Sequence, residues 1–373
     1  MPFMTNILLF NPENDLALAN GDPNFVAPTS ARKLAADLET LPLWWHDEHS
    51  LLLSAYTSQT APSVTGCKPW GWSAEARNRF LKAGIPESVL PSEAEINQLR
   101  MLSHRSTSIR ILSALNVIPG LKLISEQPEV ITTLDEAERY IAAQPQGAVL
   151  KTPWSSSGKG LCWSLRMNPF NRSKWLQPVF RKMGCVIAEP RYTRIIDFAM
   201  LFHASKQQDI GFVGYSLFYT DEQGAYQSNL LLSNDAILER LGYYINIAFL
   251  KQLQKALLPI LSKLIDGVYE GYLGIDMMIV RDVGDDYLVH PCVELNLRMT
   301  MGGVARLFYD RYMQKGEGEF RIEHAARKGE LLSRYPSRES EDAKWEEGLL
   351  RKGRVCLTPV TADTSYVAIV QYR

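Results

Sequence analysis

The sequence predicts an α/β protein with a parallel opening layer and a larger antiparallel body, and three stretches carry the prediction. Asn6-Ile-Leu-Leu-Phe10 is a short apolar run of the kind a buried parallel strand requires, and a polar loop and a helix over residues 30–39 follow it. Ala148-Val-Leu-Lys151 is a second apolar run, which breaks into Thr-Pro-Trp-Ser-Ser-Ser-Gly-Lys-Gly160, a sequence that cannot continue regular structure. Residues 271–280 and 288–298 read as two adjacent antiparallel strands that carry carboxylates in an otherwise apolar setting.

A chain of 373 residues, 46% hydrophobic and 22% charged, has room for two or three domains. The formal net charge of −1 gives no electrostatic reason to expect nucleic acid or an anionic membrane surface as a partner. Cys67, Cys162, Cys185, Cys292 and Cys356 form no Cys-x-x-Cys pair and no even framework, which argues against structural zinc and against a secreted disulfide scaffold. Reduced thiols, no basic leader and no run of about 18 apolar residues together make a cytoplasmic location the expectation.

The elements follow in order. After the first strand comes Asn11-Pro-Glu13-Asn14-Asp15, at the carboxyl end where such sheets bind ligands, although the same residues suit simple capping and turning. His46 and His49, in Trp44-Trp45-His46-Asp47-Glu48-His49, lack a third metal ligand at a recognisable spacing, and the paired tryptophans fit packing beside a polar loop. Lys68-Pro-Trp70-Gly-Trp72 and a helix over 74–83 keep the α/β pattern, so a first domain is expected over residues 1–100. A helix over 102–116 carries Arg105, and an amphipathic helix over 134–142 leads into the strand that ends at Lys151. Strands are expected over 200–203, 211–220 and 226–232, then a helix over 251–269 with Leu253, Leu257, Leu261, Leu264 and Val268 on its apolar face. Met299-Thr-Met-Gly-Gly-Val-Ala-Arg306 reads as small, flexible residues for close approach of a substrate, 314–354 as charged and helix-prone, and 365–372 as strand. No internal repeat appears.

Two stretches carry chemistry. The loop after Lys151 leaves backbone N–H groups free to face an anion, and triphosphate is the obvious guest. It is not a Walker A sequence, because Pro153 and Gly160 stand where that motif has a glycine and a Ser or Thr; a plain Gly/Ser turn is the alternative. In the paired strands, Glu294 and Asn296 are two residues apart and share a face with Asp276 as neighbour, so three oxygen ligands converge. Such a set, incomplete without phosphate, suits magnesium on a nucleotide; an ordinary polar sheet face salt-bridged to Arg298 is the alternative.

Taken together, Lys151, Ser155 to Gly160, Asp276 and Glu294-Leu-Asn296-Leu-Arg298 resemble, in order, the motifs of the ATP-grasp superfamily over roughly residues 100 to 310. The resemblance implies an α/β (α+β) fold of two subdomains gripping ATP, over 101–190 with the phosphate loop and 191–310 with the metal site. A small Rossmann-like α/β domain precedes them and a C-terminal extension over 311–373 follows. It further implies Lys151, Arg105, Ser155, Ser156, Ser157, Gly158, Lys159 and Gly160 on the phosphates, Glu189 on the adenine and Asp197 on the ribose. Asp276, Glu294 and Asn296 would hold magnesium, or manganese in its place, and Arg298 with Lys151 would be catalytic. His104 in place of an aspartate before Arg105, and Arg191 and Arg194 near the hinge, depart from the family pattern.

The expected activity is that of an ATP-dependent ligase joining a small carboxylate to an amine through an acylphosphate, with Arg298 holding the carboxylate and the oxyanion. A phosphotransferase on the same fold and a nucleotide-binding protein without turnover are the other two classes. Small acids and amines are the expected partners, and a homodimer is compatible with the chain.

Overall fold

The computed structural model describes residues 5–57, 64–121, 123–124, 126–155, 160–205, 209–222, 224–282 and 286–373. β1 (Thr5–Leu9) leads into α1 (Asn14–Asn20), which ends where Gly21 takes a left-handed φ of 79°, and then into α2 (Thr29–Asp37). β2 (Leu51–Leu52) and β3 (Val64–Pro69) flank β1 in a parallel sheet of order β2-β1-β3. The apolar run of β1 is buried through Phe10, and α3 (Ala74–Lys82), capped by Ser73, packs Ala76 and Phe80 against Ile7 and Leu9.

α4 (Glu93–Leu102) opens with a capping box of Ser92 and Glu95, and α5 (Thr107–Asn116) follows it. The single helix expected over 102–116 is thus broken, and Arg105 lies in the break. The His104 ring nitrogen Nδ1 bonds the Ser106 hydroxyl at 2.7 Å and accepts from the Ser106 N–H at 3.1 Å, while the Arg105 N–H is drawn to the Pro153 carbonyl at 3.0 Å. These side-chain and loop partners compete with the helical ladder.

β4 (Glu129–Ile131), α6 (Leu134–Ala142), β5 (Ala148–Lys151), β6 (Leu161–Trp163), α7 (Pro169–Met183) and β7 (Val186–Pro190) form the middle of the chain. Their strands make an antiparallel sheet of order β4-β7-β5-β6, covered by Ala137, Tyr140 and Leu176 of the two helices.

Between Pro190 and Thr193 the chain passes to a larger sheet. It comprises β8 (Thr193–Ala204), β9 (Ile210–Thr220) and β10 (Tyr226–Leu231), then, after α8 (Asn234–Gly242) and α9 (Ile247–Ile265), β11 (Gly271–Arg281) and β12 (Tyr287–Asn296). α10 (Met301–Tyr312), β13 (Gly318–His324) and α11 (Glu330–Arg334) follow, then the hairpin of β14 (Lys344–Glu346) and β15 (Leu349–Lys352), and finally β16 (Arg354–Cys356) and β17 (Tyr366–Tyr372). The eight-stranded order is β12-β11-β8-β9-β10-β13-β17-β16. α9 buries Leu250, Leu253, Leu257, Leu261 and Ile265 against Phe198, Met200 and Phe202 of one sheet face; each such side chain contributes about 1.5–3 kcal/mol of transfer free energy. Leu201 and Gly274 point the other way, towards the start of α10 and the N-terminal layer.

Two expectations are corrected. The stretch 314–354 is mainly strand and turn, because Gly316 and Gly348 take left-handed φ values of 74° and 76° and β13 pairs along its whole length with β17. Residues 301–306 are the first turns of α10, not flexible chain. There a Cβ on Gly302 would lie 2.5 Å from the Ser216 hydroxyl and one on Gly303 2.8 Å from the Met299 sulfur, so these glycines let the helix sit close to the sheet.

Candidate active site

Lys151 closes β5, and the register Val149↔Glu189 sets Glu189 diagonally opposite it on the neighbouring strand. The Lys151 ammonium pairs with one oxygen of Glu189, and the His290 Nε2 stands 3.4 Å from the other. All three side chains are buried. Burial alone would raise the Glu189 carboxyl, but the Lys151 charge and His290 outweigh it and hold Glu189 down at about 2. The His290 Nδ1 and the Tyr192 hydroxyl are buried with no hydrogen-bond partner among the described residues, and the Tyr192 ring stands edge-on to His290 with centroids 5.5 Å apart. Orphaned groups of this kind call for a ligand or water beside Glu189.

The loop after β5 closes where the Thr152 N–H donates to the Gly160 carbonyl at 2.8 Å. A Cβ on Gly160 would lie 2.1 Å from the Thr152 hydroxyl and 2.3 Å from that of Ser155, so the closure requires glycine. Ser156, Ser157, Gly158 and Lys159 lie outside the described residues. Arg105, expected on the phosphates, is buried: its guanidinium donates to the Thr152 carbonyl at 2.7 Å and to the hydroxyl of Ser155 at 2.8 Å, and reaches a carboxylate oxygen of Glu294 at 3.1 Å. One side chain therefore ties the base of the loop to the carboxylate strand.

The register Asp276↔Glu294 and Gly274↔Asn296 puts the three expected metal ligands on one face, and the Asn296 amide donates to Asp276 at 3.0 Å. Beyond that point three residues of β12, among them Pro291, oppose the single Met277; proline, which cannot donate to the ladder, is at home in such a bulge. Burial and the neighbouring Glu294 charge push the Asp276 carboxyl up to about 7 against the pull of Arg298 and Asn296. Among the described residues no group of three His, Cys, Asp or Glu side chains could hold a metal by itself. Two carboxylates and an amide oxygen with a surplus of negative charge fit a hard divalent cation whose remaining ligands come from phosphate and water. Asp197 shares this face but is engaged: it accepts from the Thr220 hydroxyl at 2.6 Å and from Arg194 at 3.0 Å, and burial raises its carboxyl.

Arg298 follows β12 and meets Asp15 at the start of α1, with Nη2 2.8 Å and Nε 3.1 Å from the Asp15 carboxylate. The arginine expected to hold a substrate carboxylate thus already grips one from the N-terminal layer. Sequence reasoning assigned no individual role to Asp15, His290, Tyr192 or Thr152. For Asp15 the available signal was its place in the polar loop after the first strand, and for His290 its position four residues before Glu294 on an apolar strand.

No protein-family model and no curated protein sequence matches the chain. Solved structures do. Biotin carboxylase from Campylobacter jejuni, in complex with β-γ-ATP, superposes with a TM-score of 0.52 at 12% identity, over 99% of this chain and 87% of that one. The biotin carboxylase domain dimer of Hydrogenobacter thermophilus 2-oxoglutarate carboxylase, with MgADP and bicarbonate, gives 0.52 at 12%, over 100% and 86%. N5-carboxyaminoimidazole ribonucleotide synthetase from Thermus thermophilus gives 0.50 at 13%, over 99% and 94%. At these identities the likeness concerns the fold, and no helix among the described residues is long and apolar enough to cross a membrane. A four-stranded sheet in which β5 ends at Lys151, a larger antiparallel sheet bearing Asp276 and Glu294, and the superposition of nearly the whole of this chain on these structures give it the ATP-grasp fold.

Proposed function

We propose that the protein is an ATP-dependent ligase that joins a small carboxylate to an amine through an acylphosphate. The observation that carries this reading is the meeting, at one place, of Lys151, the Gly160-closed loop tied down by Arg105, the Asp276–Glu294–Asn296 set, and an arginine, Arg298, already engaged with a carboxylate. The nucleotides named in the biotin carboxylase structures, β-γ-ATP and MgADP, support the choice of magnesium and ATP.

Asp276, Glu294 and Asn296 would hold the cation, which when bound supplies positive charge to the β- and γ-phosphates. Lys151 and Arg105 add fixed cationic groups beside the same phosphates. The orphaned His290 and Tyr192 groups, with Glu189, line the place for the base, and Asp197 stands towards the ribose. Arg298 orients the substrate carboxylate for in-line attack on the γ-phosphorus, with ADP leaving. The amine then attacks the acyl carbon, the bond from that carbon to the bridging oxygen breaks so that phosphate leaves with the oxygen and the electron pair, and the amine's proton passes to solvent. Arg298 also faces the oxyanion that develops in that second step.

Phosphate release should be measured against a mixed panel of acids and amines. The ligase reading predicts release only when both are present. ADP formed with an alcohol alone and without free phosphate, the phosphoryl group being retained on the product, would point to a phosphotransferase instead, and ATP binding without turnover on any pair would leave a binding protein.

A further inference from the structure

A cavity of about 590 Å³ lies between β3, α4 and the beginning of β11, on the N-terminal side of the site. Its size is within the roughly 300–1,000 Å³ range of small-molecule sites. Lys68 and Glu270 line it and pair with each other at 3.0 Å, and both side chains keep about a third of their surface exposed. An exposed ion pair of this kind contributes little by itself, so a ligand carrying both charges can replace it at small cost.

Two imidazoles line the same cavity. Burial and the Lys68 charge push His46 down to about 4 and also lower His203, so both are neutral at pH 7 and each presents one N–H and one acceptor nitrogen. Among the other acids of the wall, Glu95 is committed to the capping box with Ser92. Trp45 and Tyr272 add aromatic surface.

The cavity runs on to Gly71 and Met299, which flank Arg298: a Cβ on Gly71 would lie 3.1 Å from the Arg298 Cβ, and the Met299 N–H donates to the Trp70 carbonyl at 2.9 Å. Gly71 lies three positions beyond Lys68, past the end of β3, so at most about 10 Å of chain separates them. A ligand anchored at Lys68 can therefore extend a second functional group towards Arg298.

We propose that this cavity binds the zwitterionic head of an α-amino acid, with the α-carboxylate on Lys68 and the imidazoles, the α-ammonium on Glu270, and the side chain directed to Arg298 as the reacting end. That the bound amino acid is a substrate rests on the ligase reading above; that it binds does not. The substrate class is then a long-chain amino acid whose distal carboxylate or amine enters the new bond.

Titration calorimetry on the full chain without nucleotide tests the site, using the twenty free amino acids, with the N-acetyl and carboxamide derivatives of whichever binds. At least one free amino acid should bind, and removal of either charge should weaken it by about tenfold or more, as expected for loss of a charge-assisted hydrogen bond. Lys68→Met and Glu270→Gln should each weaken it to a similar degree, while both variants keep the wild-type affinity for a non-hydrolysable ATP analogue, which reports an intact fold. Absence of binding by all twenty, equal binding of the derivatives, or undiminished binding by both variants would overturn the proposal. ATP turnover on other acid and amine pairs would meanwhile leave the ligase reading standing, and amino-acid binding without turnover would do the reverse.

Discussion

Asp276→Asn should make the free protein more stable at alkaline pH while abolishing the divalent-cation binding proposed for it. The folded protein moves this carboxyl from 3.8 to about 7, chiefly through burial and the Glu294 charge. Because the folded midpoint lies above the unfolded one, ionisation costs the folded state more than the unfolded chain. The penalty is absent below about pH 3.8, builds as pH rises and is complete above about 7. At 1.36 kcal/mol per pKa unit it reaches a ceiling of about 4 kcal/mol at pH 8.5 and about 1.5 kcal/mol at pH 5. Asp276 keeps partial contact with solvent, which lowers the realised value. Asparagine preserves the shape and an acceptor for the Asn296 amide without the charge. In urea unfolding, the advantage of the variant over the parent should therefore grow by up to roughly 2.5 kcal/mol between pH 5 and pH 8.5. In the parent, magnesium with an ATP analogue should release protons near pH 7, and the variant should not. A variant no more stable than the parent at pH 8.5 would refute the crowded-carboxylate account of the metal face.

Lys151→Met should lower stability as well as turnover, because it strands the buried Glu189 charge; breaking a buried pair costs on the order of 3–5 kcal/mol, and adding Glu189→Gln should recover most of the stability, read by thermal unfolding, but none of the activity. Glu294→Gln removes one charge from the metal face and leaves the Glu189 and Asp197 region untouched, so ATP-analogue affinity should fall modestly and phosphate release by about 100-fold or more, with partial recovery at high magnesium or with manganese. Arg298→Lys keeps the charge but not the two-pronged grip on Asp15, and should raise the apparent constant for the carboxylate substrate far more than that for ATP in steady-state kinetics.

The sheet geometry was legible because strands write it into sequence with a period of two: Glu294 and Asn296 share a face, and the pairing of the two strands adds Asp276 to it. Lys151 was legible because an apolar run that ends in lysine and then Ser/Gly can only be a strand leaving its sheet. The rest depends on contacts that have no local signature. Arg298 finds Asp15 across 283 residues, and His290 finds Glu189 across 101. Arg105 was read as a helix residue because helical propensity does not register the pull of the Pro153 carbonyl on its N–H. The glycines of α10 likewise suggested freedom, whereas Ser216 and Met299 beneath them show that they are there for close packing.

Oxygen transfer tests the central claim most directly. With both carboxylate oxygens of the acid substrate labelled with ¹⁸O, a ligase working through an acylphosphate moves one labelled oxygen into the inorganic phosphate it releases, because the oxygen that bonds to phosphorus is the one whose bond to carbon later breaks. Mass spectrometry of the phosphate should show one ¹⁸O per turnover, with the amide product retaining the other. Unlabelled phosphate, formed only as the product appears, would contradict the account.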